Sequence, residues 1–351
     1  MRIRAAVTET AGGPFVVQDV DLEPPRGHEV LVRVMAAGLC HTDLTMQAVW
    51  PLTPMVFGHE GAGVVEAVGE QVTTVTPGDH VCLTFHSCGS CDQCAAGRPA
   101  YCRSARALNA SGGRGDGTSP LSRDGKMVHG GFFGQSSFAT YAVASERNAV
   151  RLPADLPFPV AAPLGCSVQT GAGTVLNRLR PAPGDSLLVI GCGGVGLSAV
   201  LAGVVAGCTP VVAVDPIESR RALAVELGAT EATGPTGLTG HFDHIVDTTS
   251  RPEMLTAAVK ALRPLGALAM VGIGREVTFD IMSLLNSGAR IHGVLEGDSD
   301  PQSFLPRLID LHRRGALPIE RLITTFPFED IAGAVAGMRD GSAIKPVLVF
   351  A

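Results

Sequence analysis

SLLVIGCGGVGLSAVLAGVVAGCTPVVAVD, residues 186–215, decides how the rest of this chain is read. From Ser186 to Val214 it carries no charged residue, and a run of that length and hydropathy has the outward look of a membrane span. Its punctuation argues otherwise. Gly191, Gly193, Gly194 and Gly196, with Val195 between the last two, interrupt the run after a strand-like LLVI and before a helical LSAVLAGVVAG. Gly207 closes that helix, Pro210 follows, and a second apolar strand, VVAV, ends on Asp215. Strand, glycine turn, helix, strand and a carboxylate about 20 residues past the glycines make a dinucleotide-binding βαβ unit. Parallel strands buried on both faces read as continuous apolar runs, so the missing charges need no lipid.

A chain of 351 residues predicts two domains, each able to bury its own core. Charged residues make up 17% and aromatics 5%, beside 43 Gly and 24 Pro, a balance suited to a turn-rich α/β enzyme and not to a coiled coil or a disordered chain. With a net charge of −6 and no basic run, neither nucleic acid nor an anionic membrane is an expected partner. The opening MRIRAAVTETAGGPF lacks the apolar segment of a secretory signal, so the expected compartment is the cytosol. Nine cysteines there point to metal binding or catalysis before disulfides.

Upstream of the glycine turn the pattern is short and alternating. Strands are predicted at 2–8, 14–20, 29–37, 62–68, 79–84 and 137–143, together suggesting a closed or partly closed β-barrel. Residues 103–131, rich in Gly, Ser and Arg, read as a long surface loop. From about residue 168 helices and strands alternate, as in a doubly wound parallel sheet. Helices are expected at 218–227 and 252–262 and strands at 243–248, 267–272 and 290–295; the tail adds a helix at 301–314, a strand at 323–328, a helix at 329–338 and a last strand, KPVLVF.

The cysteines form two groups. Cys88, Cys91, Cys94 and Cys102, spaced C-x2-C-x2-C-x7-C, suit a closed tetrahedral structural zinc. An iron–sulfur cluster is the rival, weakened by the long last spacing and the absence of a following proline. The second group is scattered: Cys40 in GLCHTDL, His59 and Glu60 in GHEGAG, and Cys166 in GCSVQTGAG. One at a time, each has an ordinary reading as a packed core residue. Beside a dinucleotide fold they supply two thiolates and an imidazole for a catalytic zinc with an open position. Cys82, Cys192 and Cys208 sit in apolar contexts and are assigned to packing.

GLCHTDL, GHEGAGVVEAVG, the Cys88–Cys102 pattern, GCSVQTGAG and GCGGVG occur in this order along the chain, which resembles the zinc-dependent medium-chain alcohol dehydrogenases over its full length. The resemblance implies a GroES-like catalytic domain over residues 1–167, with a structural zinc lobe at about 86–103, a Rossmann NAD-binding domain over 168–295, and a segment, 296–351, that returns to the catalytic domain. It implies Cys40, His59 and Cys166 as ligands of one of two zinc ions per chain, Glu60 beside that metal, and Asp43 orienting the ligand histidine. Zinc would act as a Lewis acid on an alcohol oxygen while hydride passes to the nicotinamide. Thr42 matches the hydroxyl that takes the alcohol proton, although a turn residue bonding its own backbone is the plainer reading. The next relay position, often histidine, is Thr45, which leaves His41 or solvent to carry the proton onward.

Cofactor contacts implied by the same resemblance are His41, Thr170, the glycine turn, Asp215, Arg220 and Lys345. Asp215 would accept from the adenosine ribose and repel a 2′-phosphate, favouring NAD over NADP. GFFGQSSFATYAV is similar to the aryl-alcohol (benzyl alcohol) branch of the family, with Trp50, Thr84 and Phe138 as candidate pocket walls for aryl or allylic primary alcohols; alternatively Phe132, Phe133 and Phe138 simply fill the barrel. Two other functions stay open: a thiol-dependent formaldehyde dehydrogenase, and a non-catalytic zinc- and NAD-binding protein. Relatives are homodimers or homotetramers, and residues 290–297 are the candidate edge for pairing.

Overall fold

The structure, a computed structural model, describes residues 1–351. The chain divides into two compact units: Met1–Cys166 with Asp300–Arg307 and Ile323–Ala351, and Ser167–Ser299 with Leu308–Leu322.

In the first unit alternation of apolar and polar residues yields two sheets that share one core. One sheet runs in the order Met55–Val56, Arg2–Thr8, Val16–Leu22, Leu121–Arg123, Lys126–Val128. The other runs Ala149–Arg151, His80–Leu83, Gly61–Val68, Glu29–Gly38, Lys345–Val349, Ile323–Pro327, with Tyr141–Ser145 also paired to Glu29–Gly38. Tail residues thus complete the sheet that the N-terminal residues begin, and Val347 sits opposite Gly38. Two segments depart from the alternation. Residues 137–140 read as strand, but the strand begins at Tyr141. The stretch before it bridges the sheets instead, with Ala6 N donating to the Phe138 carbonyl and Ala5 facing Ala139. Likewise 103–131 is not a bare loop. It holds a helix, Ala105–Asn109, and a hairpin, Leu121–Arg123 with Lys126–Val128, whose turn places Asp124 and Gly125 at positive φ.

The second unit is a six-stranded parallel sheet in the order Glu231–Thr233, Val211–Val214, Leu187–Ile190, Phe242–Asp247, Leu262–Met270, Arg290–Gly293. From Leu187–Ile190 the strand order runs outward in both directions, so its carboxyl end is the switch point where such sheets bind ligands. No helix is long and apolar enough to cross a membrane, and the apolar run is split into two buried strands and the helix Gly194–Val205.

The tail is shared differently from the 296–351 expectation. Leu308–Leu322 belongs to the second unit, and the boundary falls inside the helix Pro301–Arg313. Leu308, Ile309, Leu317, Ile319 and Leu322 are buried, and Arg321 ion-pairs with Glu226. An apolar stripe on a helix says that it is covered, not by what.

Candidate functional site

The strand Glu29–Gly38 ends just before Cys40, which serves as N-cap of the helix His41–Val49. Asp43, in the first turn, folds back to accept from Cys40 N at 2.9 Å. The same fully buried carboxylate accepts from Gly58 N at 3.2 Å and pairs with His59 Nδ1 at 2.8 Å. Fixing Nδ1 as the donor leaves Nε2 as the lone-pair nitrogen. Nε2 is buried and has no hydrogen-bond partner. Burial opposes charging His59, but Asp43, through charge and hydrogen bond, pulls it well above the ordinary imidazole range.

The Sγ of Cys40 and of Cys166, a ring nitrogen of His59 and a carboxylate oxygen of Glu60 all lie within 4.8 Å of one another. Hydrogen bonding from Cys166, helped by Lys345 and His59 against the cost of burial, depresses the Cys40 thiol well below its ordinary value. Two sulfurs, an orphaned imidazole nitrogen and a carboxylate in a buried cluster fit a zinc ion, and these residues would hold one.

Glu60 is aimed at Lys345, whose Nζ donates at 2.9 Å and 3.0 Å to its two oxygens and at 3.0 Å to the Leu39 carbonyl. Burial would discharge Lys345, but Glu60 and the two cysteines hold it strongly protonated. A lysine read from sequence as a phosphate contact is therefore engaged, in this structure, with the carboxylate beside the metal cluster. Gly38 makes room for that carboxylate, since a Cβ there would come within 2.0 Å of a Glu60 oxygen.

Two further residues brace the site: Gln135, which sequence reasoning passed over, and Phe133, which it read only as barrel filling. Gln135 is 2% exposed; its Oε1 accepts from Gly61 N at 3.0 Å, and its Nε2 donates to the carbonyls of His59 at 2.9 Å and Thr84 at 3.2 Å. Phe133, at φ 50°, stacks on the His59 ring with centroids 4.6 Å apart. Beyond it Phe132 meets His59 edge-on, and Trp50 meets Phe132 and Phe57. Trp50 thus stands one ring away from the ligand histidine, with its Nε1 buried and unpartnered. Phe138 packs deeper, against Phe15, and Thr84 donates its hydroxyl to the Gly165 carbonyl at 2.8 Å. Thr42 is half-buried on the helix that Cys40 caps; His41 and Thr45 are exposed.

The second cysteine group closes on itself: Cys88, Cys91, Cys94 and Cys102 offer four sulfurs within the same 4.8 Å limit. Backbone amides of Ser90 and Cys91 lower the Cys88 thiol to about 5, and Cys88 N donates to the Cys102 sulfur at 3.3 Å. With every donor a thiol, the set fits a structural zinc. Packing explains Cys192, fully buried with its thiol pushed up to about 12 by burial.

In the second unit Gly191 takes φ 92°, and a Cβ on Gly196 would lie 1.7 Å from the Gly191 carbonyl oxygen, so both glycines are required by the turn. At Gly193, N-cap of the helix, a Cβ would meet nothing within 4 Å, which leaves the helix N-terminus open to a pyrophosphate. Asp215 accepts from Cys192 N and Ile217 N, both at 2.8 Å. Each carboxylate oxygen can accept further bonds from a ribose. Arg220 Nε is buried without a partner, whereas Arg221 donates to the carbonyls of Asp215 and Pro216. These features fit a dinucleotide.

A buried cluster of two cysteines and a histidine in one unit, and a glycine turn at a switch point in the other, define an oxidoreductase that uses zinc and a nicotinamide dinucleotide. Comparison with known proteins agrees. The families described as "Alcohol dehydrogenase GroES-like domain" and "Zinc-binding dehydrogenase" match residues 26–154 and 194–312. Geraniol dehydrogenase of Castellaniella defragrans is 45% identical, over 99% of this chain and 97% of that protein. The crystal structure of an alcohol dehydrogenase zinc-binding domain protein from Burkholderia ambifaria is 45% identical with a TM-score of 0.97, covering 99% of both chains. That of benzyl alcohol dehydrogenase from Acinetobacter calcoaceticus is 40% identical with a TM-score of 0.96, covering 100% of both. The chain belongs to the zinc-dependent medium-chain alcohol dehydrogenases, with a GroES-like and a Rossmann part, and is an NAD-dependent enzyme acting on small alcohols.

Proposed function

We propose that this enzyme oxidises aryl and allylic primary alcohols reversibly to aldehydes. The observation that carries the reading is the ring of aromatic side chains on His59: Phe133 stacked upon it, Phe132 edge-on, and Trp50 behind. Flat apolar walls hold a benzylic or allylic group by stacking and exclude water from the reacting carbon. Full-length likeness to a geraniol and a benzyl alcohol dehydrogenase supports the same class.

When bound, zinc supplies a Lewis acid for the alcohol oxygen and NAD a hydride acceptor. The chain's own residues do the rest. Asp43 holds His59 in the tautomer that presents Nε2, and Gln135 fixes the backbone on either side of Glu60. Thr42 takes the alcohol proton, which leaves through His41 or solvent because Thr45 is no base near neutral pH. Gly193 and its neighbours receive the pyrophosphate, and Asp215 with Arg220 holds the adenosine ribose. We place the enzyme in the cytosol as a homodimer or homotetramer. Support for pairing comes from Ile281, Met282 and Leu285, exposed apolar residues that precede the sheet-edge strand Arg290–Gly293.

The test is NADH formation by zinc-loaded enzyme with benzyl alcohol, geraniol, ethanol, and formaldehyde with a thiol. The expected order is benzyl alcohol and geraniol well above ethanol. Turnover of the thiol adduct alone would make it a formaldehyde dehydrogenase; none with any substrate would leave a binding protein.

A further inference from the structure

Beyond the last strand of the parallel sheet, the backbone takes a conformation that its side chains resist. Glu296, Gly297 and Asp298 follow one another at φ 48°, 64° and 52°. Left-handed backbone is expensive for residues with a Cβ, and such strain persists where surrounding contacts over-determine it. Those contacts are present. The turn is pressed on the helix Ser167–Gly173, where a Cβ on Gly297 would lie 2.2 Å from the Gln169 carbonyl oxygen and one on Gly173 would lie 2.3 Å from that of Gly297. Asn177 Nδ2 donates to the Gly297 carbonyl at 3.1 Å, and Ser299 Oγ reaches both the Glu296 carbonyl and Gln169 Oε1. This clamp delivers the half-buried Glu296 carboxylate to Gln169 Nε2 and Thr170 Oγ1, each at 3.4 Å.

The sheet order says what else occupies that neighbourhood. Asp215 ends Val211–Val214 on one side of the switch point, so the adenosine half of the cofactor lies there. The nicotinamide half then crosses to the carboxyl ends of Phe242–Asp247, Leu262–Met270 and Arg290–Gly293, the edge from which residues 294–299 emerge. Thr170, which meets the Glu296 carboxylate, lies on the helix Ser167–Gly173 of the same unit.

We propose that Glu296 places a negative charge beside the nicotinamide ring and holds the oxidised, cationic ring more tightly than the reduced, neutral one. This rests on the reading of the chain as an NAD-dependent dehydrogenase. When the alcohol carbon gives its hydride to the ring and its oxygen gives up a proton, the ring loses its charge and the attraction to Glu296 disappears. The bound equilibrium therefore tilts toward alcohol and NAD⁺, and NADH is released more readily.

The test measures both dissociation constants on zinc-loaded enzyme. NADH is followed by energy transfer from Trp50, the one tryptophan of the chain, and NAD⁺ by competition. In Glu296→Gln and Glu296→Ala the ratio Kd(NAD⁺)/Kd(NADH) is expected to rise about tenfold, which lies between the effect of one charge pair about 4 Å apart in bulk water and the larger effect of the same pair near a protein surface. Glu296→Asp, which keeps the charge, should hold the ratio near wild type. Equal weakening of both forms, or a ratio unchanged in Gln and Ala variants that bind both, overturns the inference by reducing Glu296 to a brace. Wild-type enzyme that binds neither form overturns the NAD reading itself and the inference with it.

Discussion

Replacing Asp43 with asparagine tests the metal site without touching a proposed ligand. The carboxylate is fully buried and accepts from three donors, Cys40 N, Gly58 N and His59 Nδ1, at 2.9, 3.2 and 2.8 Å. Asparagine keeps its shape but turns one of the two accepting ends into a donor. Either the Cys40 amide, or the Gly58 amide with the His59 ring, then faces an N–H. A buried donor left unsatisfied costs about 1–3 kcal/mol. His59 also loses the negative charge that sets its tautomer and its basicity as a ligand, and such partners are worth roughly 10–100-fold in metal affinity, or about 1.4–2.7 kcal/mol. The assay is metal content against rising chelator, with far-UV circular dichroism as a check on folding. D43N should lose one zinc per chain at chelator concentrations that leave wild type with two, and kcat/KM should fall in step with that loss. A folded variant that keeps both metals at wild-type chelator resistance, with unchanged kcat/KM, would refute the placing of the catalytic metal at His59.

Two glycines of the turn should separate folding from cofactor binding: Gly196→Ala, forced against the Gly191 carbonyl oxygen, should destabilise the protein by about 3 kcal/mol or more in denaturant titration. Gly193→Ala, whose methyl meets no protein atom, should unfold at the wild-type midpoint yet bind NAD more weakly. A separate prediction concerns acid stability. Burial would raise the Glu146 carboxyl, but the Thr73 amide, His28 and Thr74 outweigh it and lower it from 4.5 to about 2. A depressed carboxylate contributes stability that is complete above its unfolded value and lost as pH falls toward its folded one. The stability difference between wild type and E146Q should therefore shrink as pH falls from about 4.5 to about 2; a difference independent of pH across that range would show the carboxylate uninvolved.

How much of this was legible from sequence depends on how local the governing contacts are. The glycine turn was readable because steric needs at Gly191 and Gly196 arise within a few residues. Both cysteine groups were visible because metal chemistry restricts donor types so sharply, even where Cys40 and Cys166 lie far apart in the chain. Positions decided by distant partners were not readable. Lys345 read as a cofactor phosphate contact, and only the sheet, by placing it on Glu60, showed its carboxylate partner. Gln135, within a polar GQSS, gave no sign that it brackets His59 and Gly61. Phe133 was visible only as an aromatic; its stacking on His59 depends on a positive φ that nothing in FFGQ announces beyond its glycine. Strand prediction failed at 137–140 for a related reason: alternation marks which residues face a core, and this stretch faces it while crossing between sheets.

The central claim, that zinc and NAD cooperate in hydride transfer from an aryl alcohol, is tested most directly by following the hydrogen itself. Benzyl alcohol carrying two deuterons on its reacting carbon is turned over with NAD⁺, and the reduced cofactor is analysed by NMR for deuterium on one face of the ring. Stereospecific transfer of one deuteron per turnover is the predicted result. Unlabelled NADH, or benzaldehyde formed without reduced cofactor, would contradict it.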